Sequence, residues 1–139
     1  MNILLFITPK KDVAYLYDDF SVRQALEKME YHRYSAIPII DRNGKYVGTL
    51  TEGDLLWYIK NCHNLSINSA EDEKMINIQR HYNNQAVLAT CDLKEIIDAA
   101  MKQNFVPVVD DNNVFIGIIT RKNIFNYLKK NMSPALFKQ

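Results

Sequence analysis

Apolar positions along the chain follow two rhythms, and the order of those rhythms occurs twice. Ala36 to Ile40 is a short β-branched run, and Tyr46 to Leu50 is its partner. Between them Asp41-Arg42-Asn43-Gly44 supplies turn chemistry, Asn-Gly being the strongest short-range hairpin signal. From Thr51 the spacing becomes helical, with Leu55, Leu56 and Ile59 expected on one apolar face. Upstream, Ser21 is placed to cap a helix whose Val22, Ala25, Leu26 and Met29 form a stripe, and Val13 to Tyr17 reads as a strand before it. The order then returns as a strand near Ala86 to Leu88, a helix from about Asp92 to Lys102, strands Val106 to Val109 and Phe115 to Ile119, and a helix from about Arg121 to Lys129.

Residue identities confirm the recurrence. Setting Ser35 onward above Asn104 onward, a shift of 69 without gaps, pairs Pro38/Pro107, Asp41/Asp110, Asn43/Asn112, Gly48/Gly117, Thr51/Thr120, Tyr58/Tyr127 and Lys60/Lys129. Most remaining pairs exchange one apolar residue for another, such as Ile37/Val106 and Tyr46/Phe115. The chain is a duplication. The expected fold class is α/β (α+β), two repeats of β-α-β-β-α order packed sheet to sheet with pseudo-twofold symmetry. Repeat one spans 1–64, a polar link with an acidic cluster 65–75, and repeat two 76–139. A unit of this size buries too little apolar surface to be stable alone, so two must share a core and leave symmetric clefts between them.

Composition narrows the function. Lys plus Arg number 17 and Asp plus Glu 16, so no strongly basic face is available for duplex nucleic acid. No apolar run approaches the roughly 18 residues of a membrane span, and the opening Met1 to Ile7 lacks the features of a signal peptide. Cys62 and Cys91 have no paired spacing and read as reduced thiols, so a cytoplasmic location is expected. No G-x-S-x-G, H-E-x-x-H or P-loop motif occurs, and Cys62-His63 has no second pair to complete a metal cage. No enzymatic activity, metal or cofactor is expected. Tyr15, Tyr17, Tyr46, Tyr58 and Tyr127 read as packing residues, and Trp57 as a residue of a dimer interface.

The run Ile37-Pro38-Ile39-Ile40-Asp41 followed by Gly48-Thr49-Leu50-Thr51-Glu52-Gly53-Asp54, and its echo Val106-Pro107-Val108-Val109-Asp110 with Gly117-Ile118-Ile119-Thr120-Arg121-Lys122-Asn123, resembles a tandem pair of CBS domains. The resemblance covers nearly the whole chain and implies a module that binds an adenosine-containing ligand, regulates a partner protein, and forms a disc-like homodimer. AMP, ADP or ATP is the expected class; alternatives are a cyclic di-AMP or S-adenosylmethionine sensor, or a constitutive interaction scaffold with an empty pocket. By the family pattern Ser35, Ala36 and Ile37 meet the adenine edge with backbone groups, and Val13, with Thr8 and Pro9 before it, packs on the base.

The motif also has its own physics. Thr51 stands where a strand becomes a helix, which places a hydroxyl and free backbone N–H groups in a setting that suits phosphate. Asp54, one turn on, can accept from both ribose hydroxyls, and Gly48 and Gly53 would allow close backbone approach. Thr51-x-x-Asp54 equally fits a helix cap. In copy two the acid is replaced by Asn123, so the stronger site is expected in the copy-one cleft, with Thr120 and Asn123 marking a weaker or different one. Arg121 and Lys122 read as a solvated helix start or as phosphate partners, and His32-Arg33 and Arg80-His81 are further basic candidates.

Overall fold

The computed structural model describes residues 2–61, 71–81 and 84–132. Cys62, His63 and most of the expected link lie outside the described residues.

Among the described residues, seven strands and four α-helices form two sheets, each backed by helices. Strand β1 is Thr8–Pro9, β2 Leu16–Tyr17, β3 Ala36–Ile40 and β4 Tyr46–Thr51; β5 is Val87–Leu88, β6 Phe105–Val109 and β7 Phe115–Thr120. Helix α1 is Val22–His32, α2 Glu52–Asn61, α3 Leu93–Lys102 and α4 Arg121–Asn131. One sheet runs β2-β3-β4 and the other β1-β7-β6-β5. Ser21 caps α1 in a reciprocal box with Gln24, and Asp92 caps α3.

Alternation along the strands separates three cores. In repeat one Ile37 and Ile39 face the helices with Leu16, Val22, Ala25, Met29, Leu50 and Leu55, while Ala36 and Ile40 face the other sheet. In repeat two Val106 and Val108 face α3 and α4. Between the sheets lie Val13, Ala36, Ile40, Phe105, Phe115 and Ile118, with Tyr15, Tyr17 and Tyr46 packed around them. The pseudo-twofold axis shows in the hairpin turns. Tyr46 N–H donates to Asn113 O at 3.1 Å and Phe115 N–H donates to Gly44 O at 2.9 Å, a reciprocal pair between equivalent residues. Gly44 and Asn113 both take left-handed backbone, φ +83° and +65°, as the tight turns require.

Three expectations change. Strands β2 and β5 are two residues long, because Pro38 and Pro107 interrupt the parallel ladders that would extend them. Helix α2 buries Leu55 but leaves Leu56 59% and Ile59 42% exposed, so the inward stripe is narrower than the spacing suggests. The leading segments are exchanged between repeats. β1 pairs with β7 and Ile3 is buried in the repeat-two core, while Met75 and Ile78 are buried in the repeat-one core.

Candidate functional site

Both strand-to-helix junctions build the same local structure. At the first, the Asp54 N–H donates to Thr51 Oγ1 at 3.1 Å and the Thr51 N–H donates to Asp54 Oδ2 at 3.1 Å. At the second, the Asn123 N–H donates to Thr120 Oγ1 at 3.1 Å and the Thr120 N–H donates to Asn123 Oδ1 at 2.9 Å. These are reciprocal capping boxes, each cap contributing about 0.5–2 kcal/mol.

What faces each cap comes from the segment that leads into the other repeat. Asp54 is only 3% exposed; its Oδ1 accepts the His81 backbone N–H at 3.0 Å and stands 3.4 Å from His81 Nδ1. Asn123 Oδ1 accepts the Thr8 hydroxyl at 3.0 Å. The acid thus sits between the halves rather than toward bulk solvent. A carboxylate has about four acceptor positions, so Asp54 can still take a ligand donor beside its two backbone donors.

The residues expected to form one site divide between two clefts. Thr51 and Asp54 stand at the first junction. Thr8 and Pro9 pair with Ile118 and Gly117 of β7, beside the second, and Val13 shares the inter-sheet core with Ile118. The exchange of leading segments is the physical reason. Ile37 is fully buried toward the helices and Ala36 toward the other sheet, so only their backbone groups suit a ligand. Ser35 is exposed, and its carbonyl accepts the Glu52 N–H at 2.9 Å. A side chain at Gly53 would meet Thr51 Oγ1 at an ordinary 3.7 Å, so that position does not require glycine.

The basic candidates also separate. Arg121 donates to Ala100 O at 3.1 Å and Gln103 O at 3.2 Å, closing the C-terminal end of α3, where a cation is favoured. That bonding fixes the Arg121 guanidinium against the end of α3; Lys122 is exposed at the start of α4. Arg33 ends α1 in left-handed backbone, and His32 lines a 700 Å³ surface pocket with Lys10, Lys11, Ala14, Lys28 and Tyr34. His81 holds Asp54, as above.

Sequence reasoning missed three polar side chains in the first cleft. The Tyr46 hydroxyl donates to Asn84 O at 2.7 Å and lies 2.7 Å from Thr49 Oγ1. Burial pushes the Tyr46 phenol up to about 12, so it stays a neutral donor. Asn84 and Gln103 are buried amides whose only advance sign was a polar residue where the first copy has Val13 and Tyr34. Elsewhere, burial and then the charges of Glu95 and Asp92 push the Cys91 thiol up to about 11, far from a reactive thiolate at neutral pH. Among the described residues no three His, Cys, Asp or Glu cluster to hold a metal, and no helix is long and apolar enough to cross a membrane.

Comparison with known proteins places these features. The family model of the CBS domain matches residues 6–61 and 83–130. An inosine-5'-monophosphate dehydrogenase of Methanocaldococcus jannaschii is 29% identical over 128 residues, 89% of this chain and 23% of that protein. An uncharacterized protein of the same organism is 25% identical over 134 residues, 88% of this chain and 48% of its own length. The chain therefore spans about a quarter of one of these curated relatives and about half of the other. Among solved structures, a CBS domain protein from Streptococcus pneumoniae superposes with TM-score 0.82 at 26% identity, covering 98% of this chain and 88% of that one. CbpB in complex with c-di-AMP gives TM-score 0.83 at 24% identity, covering 94% and 85%. CBSX2 in complex with AMP gives 0.74 at 24%, covering 93% and 96%.

Proposed function

The chain belongs to the CBS-domain family, and from that premise we propose that it is a regulatory module that binds an adenine nucleotide between its repeats and signals occupancy to a partner protein. The observation that carries this reading is the reciprocal build of the clefts. Each helix start presents a capped Thr and an Asp or Asn to the leading segment of the opposite repeat, through Asp54 and His81 on one side and Asn123 and Thr8 on the other. A ligand seated there touches both halves, so its binding energy bears on their relative placement. The folds of the c-di-AMP and AMP complexes support the ligand class.

A second copy of the chain is the proposed partner for the outer helices. Leu56, Trp57 and Ile59 of α2 and Phe125 of α4 are exposed, and a 910 Å³ groove runs between α1 and α2, lined by Leu26, Leu55, Leu56 and Ile59. Scattered apolar residues are ordinary on a monomer, but a set of this kind on both repeats supports the proposed association.

One observation favours a different reading, a constitutive scaffold: the polar groups of both caps already have partners within the chain. Thermal melting with AMP, ADP, ATP, S-adenosylmethionine and cyclic di-AMP decides between them. A ligand at 100 times its Kd adds about 2.7 kcal/mol, which raises the midpoint by on the order of 10 °C in a domain of this size. No shift with any of the five favours the scaffold. Light scattering on the same sample is expected to give the mass of two chains; the mass of one would refute the homodimer.

A further inference from the structure

The proline in each repeat has a consequence for the residue opposite it. In the parallel pair of β2 and β3, Leu16 faces Ile39 and the Asp18 N–H donates to Ile40 O. Ladder donors recur every second residue, so the donor due to the Ala14 carbonyl is residue 38, a proline with no N–H. Repeat two is built alike: Val87 faces Val108, the Ala89 N–H donates to Val109 O, and the donor due to the Gln85 carbonyl is Pro107. Each repeat therefore leaves one backbone carbonyl without its ladder donor, beside the same residue's N–H, just ahead of its short edge strand.

The two edges have different fates. At Gln85 both groups are taken by the Gln103 carboxamide. Gln103 Oε1 accepts the Gln85 N–H at 2.6 Å, and its Nε2 donates to Gln85 O and to Phe105 O, each at 3.2 Å. Asn84 Nδ2 adds a second donor to Phe105 O at 3.0 Å. By strand register the residue matching Gln103 is Tyr34, which has no amide, and the residue matching Gln85 is Ala14. Ala14 makes no such bond among the described residues and borders the 700 Å³ pocket with Lys10, Lys11, Lys28 and His32.

A carboxamide presents one acceptor beside one donor, the pattern that an adenine edge also presents. Gln85 follows His81, the residue that touches Asp54, so its edge belongs to the Asp54 cleft; Ala14 follows Thr8, which touches Asn123. Building on the proposed nucleotide reading, we propose that Gln103 is an internal surrogate for the base. Its side chain fills the base-reading edge of the Asp54 cleft and limits the chain to one adenine, taken on the Asn123 side. This reverses the asymmetry expected from the acid alone. Asp54 keeps its cap and its hold on His81, and the open backbone edge, rather than the carboxylate, decides where the base goes.

The test is calorimetry with AMP on the wild type and on Gln103→Ala and Gln103→Tyr, the latter restoring the residue of the matching position. Melting curves first establish that each variant is folded. One AMP per chain for the wild type and two for the variants is the expected result. Amide exchange gives a reading independent of ligand: the Gln85 N–H is protected in the wild type and exchanges about tenfold faster in Gln103→Ala. Two sites in the wild type, one site in every protein, or Gln85 exchange unchanged by the substitution would each overturn the surrogate role while leaving nucleotide binding intact. No binding by any of the three proteins would remove the nucleotide reading, and this inference with it.

Discussion

Replacing Phe115 with alanine is expected to destabilise the fold by about 3–5 kcal/mol, the range for a large aromatic lost from a close-packed core. Phe115 is 1% exposed and stands in the core between the sheets, with its ring 6.3 Å from that of Tyr46 and 6.4 Å from that of Tyr15. Neither repeat has a second way to cover that sheet face, so the cavity lies where the halves meet. Tyr46 also anchors Asn84 through its hydroxyl, so loosening its packing reaches the first cleft. Urea unfolding of Phe115→Ala measures the loss; a value under about 1 kcal/mol would show that the inter-sheet core does not hold the halves together.

Gly117→Ala acts at the other cleft. Gly117 has φ +156°, and a Cβ there would stand 2.3 Å from the Thr8 carbonyl oxygen and 2.9 Å from Ile7 Cδ1. A backbone oxygen cannot swing aside as a flexible side chain can, so β1 must leave its place on β7. The expected cost is about 2–4 kcal/mol, combining overpacking with an unfavourable backbone conformation. Because β1 carries Thr8 to Asn123, the variant is also expected to lose nucleotide affinity at least tenfold. Unfolding and calorimetry on the same preparation check both effects. Unchanged stability would mean that β1 does not pair with β7 as described.

Much of this fold is written locally in the chain. The Asn43-Gly44 turn, the cap at Ser21, and the apolar runs of β3, β4, β6 and β7 each depend on neighbours within a few residues, so pattern and propensity expose them. The Thr51 and Thr120 junctions were legible for the same reason. The exchange of leading segments was not, because Thr8 pairs with Ile118 across most of the chain and leaves no periodicity behind. That is why the sequence alone groups Thr8, Pro9 and Val13 with Asp54. Leu56 and Ile59 carry a helical apolar spacing whichever side they face, and only the sheet beneath α2 decides the side. Gln103 is a single polar residue just after a helix, with no local signal that names a partner. Its partner at Gln85 is set by the gap Pro107 leaves in a ladder, which single-sequence pattern does not display.

Amide spectra of the isotope-labelled chain during titration with AMP and with cyclic di-AMP test the central claim most directly. Saturable shifts are expected at Thr8, Ala14 and Asn123; Thr8 and Asn123, far apart in sequence, are bonded to each other where the two repeats join. An unchanged spectrum at millimolar nucleotide, or shifts confined to the outer faces of α1 to α4, would contradict it.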